Sequence, residues 1–119
     1  MLINDFYTCQ DAIPGEQEYS CRKIFNPEHA IFKGHFPGNP VVPGVCMMEI
    51  VKELLQQQVK VPLMLQSTGN VKFLQLITPG ISPGIKVEWK KNNEDYHVKA
   101  TISLDPTTYF KFDGNYVTA

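Results

Sequence analysis

A chain of 119 residues, 43% of them hydrophobic, is long enough for one domain with its own core, though a domain this small gains from pairing with a second copy. A formal net charge of −1 gives no reason to expect nucleic-acid binding, and no apolar stretch approaches the length of a membrane span. Residues 1–119 therefore read as a single domain of a soluble, cytoplasmic protein.

The N-terminal run Met1-Leu2-Ile3-Asn4-Asp5-Phe6 lacks the basic segment and apolar stretch of a signal peptide. Short elements are expected ahead of residue 34. Residues 18–25 mix polar and apolar side chains as a strand does. Asn26-Pro27-Glu28-His29 reads as a turn or a short helical start, and Ala30-Ile31-Phe32 leads on into a loop. Residues 34–44, Gly-His-Phe-Pro-Gly-Asn-Pro-Val-Val-Pro-Gly, are too rich in proline and glycine for a helix or a central strand. Each proline fixes its own φ and restricts the residue before it, so the loop is stiff. A stiff loop can hold a catalytic group still.

A helix follows, with Pro43 suited to its first turn. Its first half carries Val45, Cys46, Met47, Met48, Ile50 and Val51, apolar on nearly every side, which predicts a buried helix. The second half, through Leu54 and Leu55 to a run of glutamines, becomes amphipathic and is expected to emerge toward solvent.

Strands are expected beyond it. Residues 63–77 are β-like with an interruption at Gly69-Asn70, read as a bulge or bend. Pro79-Gly80 and Pro83-Gly84 are turn signals. Residues 85–91 alternate Ile85, Val87 and Trp89 against Lys86, Glu88 and Lys90, and Asn92-Asn93-Glu94-Asp95 makes a hairpin turn into 96–104. Residues 109–117 form the last strand. The fold class is α+β, an antiparallel sheet curled around one helix.

The three cysteines, Cys9, Cys21 and Cys46, show neither a CxxC spacing nor a metal-ligand pattern with the histidines, and read as small apolar fillers in a reducing compartment. Basic residues, among them Arg22, Lys23, Lys33, Lys52 and Lys72, are scattered as on a solvated surface; the functional alternative is a docking rim for an acidic partner.

Glu49 is the exception in the apolar half of the helix. A buried carboxylate is costly unless paired, neutralised or bonded, and burial favours its protonated form, which suits proton transfer. A structural ion pair with Lys52, three residues on, is the alternative. His35 lies in the stiff loop that feeds this helix, and histidine as a residue type changes charge near neutral pH. Nothing around His29 or His97 suggests a role. Gly44 and Val45 offer free backbone N–H groups at the positive end of the helix dipole, and Gly44 leaves room for a close approach. Together these suit proton abstraction beside a thioester carbonyl and loss of a β-hydroxyl.

The stretch from Gly34 to Glu49, Gly-His-Phe-Pro-Gly-Asn-Pro-Val-Val-Pro-Gly-Val-Cys-Met-Met-Glu, closely resembles the GHFPGxPxxPGVxxxE signature of the 3-hydroxyacyl-acyl-carrier-protein dehydratases, matching every fixed position. The likeness extends more weakly over roughly residues 20–105, through Asn26–Phe32 and Val71–Gly80. The resemblance implies a hot-dog fold working as a homodimer or a trimer of dimers. It implies an active site at the interface, with His35 of one chain as base and Glu49 of the other handling the departing hydroxyl. It implies that Gly44, Val45, Phe36 and Pro37 contact a substrate borne on acyl carrier protein, that the acyl chain enters a tunnel beside the helix, and that neither metal nor organic cofactor is used. Two departures from the pattern are plain: Glu53 stands where the family has glutamine, and residues 77–84 carry an extra Pro-Gly. A hot-dog thioesterase, a non-catalytic acyl-binding subunit and a dehydratase that also isomerises the double bond are the competing functions.

Overall fold

The computed structural model describes residues 2–34 and 38–119. Alternating side chains lay down its sheet. Strand β4 (Gly84–Asn92) turns Ile85, Val87 and Trp89 inward and Lys86, Glu88 and Lys90 outward. It pairs with β5 (Asp95–Leu104), matching Ile85 to Ile102, Val87 to Ala100 and Trp89 to Val98, so each apolar residue meets another on the same face. The turn between them places Asn93 at φ 59°, a left-handed conformation asparagine tolerates. Strand β6 (Thr107–Thr118) continues the inner face with Phe110, Phe112 and Tyr116. Strand β3 (Leu63–Phe73) closes that side and shifts register between Thr68 and Asn70, where Gly69-Asn70 predicted a bulge.

On the other side lie β2 (Glu18–Phe25) and β1 (Tyr7–Pro14). The order β1-β2-β4-β5-β6-β3 is antiparallel at every step. A short helix α1 (Ala30–Gly34) follows β2, and α2 (Gly44–Val59) crosses the inner face. The result is the expected α+β architecture of one central helix wrapped by a sheet. Strand β1 carries no clean alternation: Tyr7 is buried, Cys9 half-buried and the rest exposed or nearly so, with a register shift between Gln10 and Ile13. An irregular edge strand leaves little periodic signal, so the sequence does not announce it.

Ile50, Val51, Leu54 and Leu55 are sealed against the sheet, each stabilising the fold by about 2 kcal/mol through burial. The opposite side of α2 is not sealed. Val45 is 76% exposed, and Met48, Glu49 and Lys52 on the same stripe are half-buried. The expectation of a first half enclosed all round is thus corrected, because the sheet covers only one side of the helix. The glutamines do reach the surface, where the Gln56 side-chain oxygen accepts from the Leu63 N–H (2.8 Å) and the Gln56 backbone oxygen from the left-handed Lys60 (2.8 Å).

The sealed carboxylate of α2 is Glu53, at 1% exposure, not Glu49. It accepts hydrogen bonds from the N–H groups of Leu2 (2.8 Å) and Ile3 (2.8 Å) and from the Tyr7 hydroxyl (3.2 Å). These bonds offset its desolvation and tie the N-terminal segment to the helix. Lys23, expected on the surface, is completely buried on β2, its Nζ 4.0 Å from the centre of the Tyr7 ring. Burial lowers the Lys23 pKa to about 8, against the opposing pull of Cys9, Cys21 and Glu53. Burial, followed by the Glu53 charge, raises that of Tyr7.

A lysine whose folded pKa lies below its unfolded value costs stability while both states are protonated. The cost is relieved as pH rises from about 8 toward 10.5, where the unfolded chain alone keeps the proton. Lys23→Met is therefore expected to stabilise the protein by about 2 kcal/mol at pH 7, with a smaller gain at pH 10. Chemical denaturation at the two pH values checks this; destabilisation at pH 7 would contradict it.

Candidate functional site

The site grows from the start of α2. Pro43 is extended (φ −63°, ψ 146°) and caps the helix without a side-chain hydrogen bond. Its carbonyl accepts from the N–H groups of Cys46 (3.0 Å) and Met47 (3.2 Å). The amides of Gly44 and Val45 precede the first of these bonds and carry the positive end of the helix dipole. Just upstream, the Val42 N–H donates to the Ile77 carbonyl (2.8 Å), pinning the loop exit to the segment after β3. Val42 and Pro43 are buried, so the helix start is fixed in place.

Gly44 is required here by packing. A Cβ on it would lie 2.9 Å from the Phe73 ring, which comes from the end of β3 and itself leans on Phe110 at 5.2 Å between ring centres. Phe73 is the wall of the site that sequence reasoning missed; nothing in a strand-end phenylalanine marks it. Glu49 lies about 7.5 Å further along the helix axis by its rise per residue, on the same outer stripe as Val45. The expected alternative partner, Lys52, does not pair with it: among the described residues no ion pair includes Glu49. The Glu49 charge is felt instead at two groups. Burial first, and Glu49 second, raise the pKa of the Tyr116 phenol on β6 and of the Cys46 thiol one turn earlier. Tyr116 was another residue that strand alternation alone could not single out.

The structure thus brings Gly44, Val45 and Glu49 together at one end and one side of α2. His35, Phe36 and Pro37 lie outside the described residues. Their flanks are defined: α1 ends at Gly34, and Gly38 adopts φ 89°, open to glycine alone without strain. His29 is structural, as expected. One ring nitrogen faces Asp5 at 3.2 Å, the other accepts from the Ile31 N–H (3.1 Å), and the ring meets Phe6 edge-on. His97 pairs with Asp113 (2.7 Å) in a partly exposed contact. Met47, Leu54, Leu55 and Trp89 belong to the core. Arg22 on β2 and Lys72 on β3 are separated by three strands within the chain.

The surroundings of the stripe are apolar and open. Phe73, Leu74 and Leu76 are 52%, 46% and 72% exposed beside the helix start, and the outer edge of β3 has no strand partner among the described residues. Chemically, the site pairs amides able to polarise a carbonyl oxygen with a carboxylate able to move a proton. If Phe73 dictates the glycine, Gly44→Ala should cost about 1 kcal/mol more in the native background than in a Phe73→Ala background. A double-mutant cycle by denaturation measures this, and equal costs would contradict it.

Residues 11–109 match the ApeI-like family, described as ApeI dehydratase. The 3-hydroxyacyl-(acyl-carrier-protein) dehydratase FabZ of Latilactobacillus sakei is 33% identical over 100 residues, covering 77% of this chain and 71% of that protein. An uncharacterized thioester dehydrase of Halalkalibacterium halodurans is 32% identical over 90 residues, 69% of this chain and 58% of that one. In structure, a chain of the dehydratase heterocomplex ApeI:P from Xenorhabdus doucetiae superposes with a TM-score of 0.78 over 93% of this chain and 97% of its own, at 20% identity. The fold is the hot dog.

Proposed function

We propose that this chain, which belongs to the ApeI-like dehydratase family, removes water from a 3-hydroxyacyl thioester carried on acyl carrier protein to give the trans-2-enoyl thioester. The observation that carries this reading is the placement of Glu49 on the open side of α2, on one stripe with the amide-bearing helix start. In the proposed reaction the thioester oxygen lies against the Gly44 N–H, which stabilises the negative charge as it develops. His35 takes the proton from the α-carbon. That electron pair becomes the new carbon–carbon double bond as the β-carbon–oxygen bond breaks, and Glu49 supplies the proton with which the hydroxyl leaves as water. Val45, Phe36 and Pro37 line the substrate path.

The working unit is proposed to be a homodimer, or a trimer of such dimers, with His35 and Glu49 of each site coming from different chains. The exposed Val45, the open apolar group at Phe73, Leu74 and Leu76, and the bare edge of β3 support this, since a second copy would cover them.

His35→Ala and Glu49→Gln should each lower turnover by at least about a hundredfold while leaving the fold intact by circular dichroism. If the two inactive variants are mixed, dissociated and reassociated, activity should return, because a mixed dimer regains one complete site. Mixed dimers that form without recovering activity would show that both residues act within one chain. Full activity of Glu49→Gln would overturn the assignment.

A further inference from the structure

Away from α2's open side, β1 and β2 bring a second reactive group together. Cys9 is the register partner of Lys23, and Cys21 precedes Lys23 by two residues, so all three side chains point to one face of the ladder. Cys21 is thereby the diagonal cross-strand neighbour of Cys9 on that face. Lys23 is fully buried, and its Nζ finds no hydrogen-bond acceptor among the described residues. An ammonium in that position is stabilised by a thiolate beside it. The Cys21 thiol beside it, and then the charge of Lys23, lower the pKa of Cys9 despite partial burial. The Cys21 thiol is pushed the other way, by the neighbouring Cys9 and by burial. Of the three cysteines only Cys9 is partly exposed, as an attacking thiol must be; Cys21 and Cys46 are buried. Just past Cys9 the strand breaks register, with Asp11 at φ 54°, which gives β1 room to adjust.

We propose that Cys9 and Cys21 form a redox-active dithiol that a hydroperoxide closes to a disulfide, with Lys23 as the group that activates Cys9. The Cys9 thiolate attacks the outer peroxide oxygen. An S–O bond forms and the O–O bond breaks. The peroxide is reduced to an alcohol, or to water from hydrogen peroxide itself, taking a proton from solvent, and Cys9 is oxidised to the sulfenic acid. The Cys21 sulfur then attacks the Cys9 sulfur. An S–S bond forms, the S–O bond breaks, and the hydroxide leaves as water with the Cys21 proton. In sum, two thiols and one hydroperoxide give a disulfide, an alcohol and a water. Cys46 stays out of this chemistry: burial and the charges of Glu49 and Glu53 keep its thiol protonated.

The test treats the native protein with hydrogen peroxide, blocks remaining thiols with an alkylating agent in denaturant, and cleaves at Glu16 and Glu18, between the two cysteines. The expected product is a peptide pair joined through Cys9 and Cys21, separable by dithiothreitol, with Cys46 alkylated. Lys23→Met should slow the oxidation about tenfold at pH 7 by lowering the thiolate fraction. Three alkylated thiols, a Cys9 carried to the sulfinic acid with Cys21 still free, or Cys9 joined to the Lys23 nitrogen would each overturn the proposal. An unchanged rate in Lys23→Met would remove Lys23 from it. The mapping of native protein needs no variant, so a substitution that unfolds the chain does not affect it.

Discussion

A helix laid across a single sheet can bury only one side, and the rest of this molecule follows from which side that is. Ile50, Val51, Leu54 and Leu55 take the sheet, and their burial fixes the rotation of α2 about its axis. That rotation puts Val45, Met48, Glu49 and Lys52 on the outside. It also leaves the amides at the helix start and a carboxylate on one stripe, with apolar side chains beside them. Had the helix rolled so that Glu49 took the place of Ile50, Glu49 would be sealed in the core and the outer stripe of Gly44, Met47, Met48 and Val51 would hold no acid.

The two acids of this helix, four residues apart, show how surroundings divide like groups between tasks. Glu53 is sealed and has three donors, two of them backbone amides of the N-terminal segment. Its bonds are spent on architecture, clamping Leu2 and Ile3 to the helix. Glu49 makes no such contacts among the described residues and faces the open side, where a substrate can reach it. The glutamate at position 53, a departure from the pattern of the dehydratases this chain resembles, therefore has a structural explanation in this chain. A carboxylate accepts from several amides at once, and the Lys23 charge lies on the same side of the core.

Much of the fold was legible because it is periodic. The β4–β5 hairpin could be read from Ile85, Val87 and Trp89 and from the Asn-rich turn, and the helix from its apolar run after Pro43. Composition could not give the azimuth of that helix. Apolar neighbours surround Glu49 and Glu53 alike, so the prediction of a buried Glu49 chose the wrong acid. Strand β1 was missed since an edge strand with one bulge and few inward side chains lacks alternation. Lys23 was read as surface because charge in a sequence ordinarily means exposure, and only the Tyr7 ring, the two thiols and Glu53 explain its place inside. Phe73 and Tyr116 adjoin the site through tertiary packing, which no local pattern records. The loop of residues 34–44 could be read as stiff from its prolines and glycines, while the role proposed for His35 as base came from the likeness to a family signature.

The most direct test of the account follows a short 3-hydroxyacyl thioester with the purified protein, recording the conjugated enoyl product and free thiol in parallel. Enoyl formation without thiol release is expected, at a rate that collapses in Glu49→Gln. Thiol release without enoyl would make the protein a thioesterase on the same fold. Neither signal from a folded, assembled protein would make it a non-catalytic subunit, and either result would contradict the dehydratase reading.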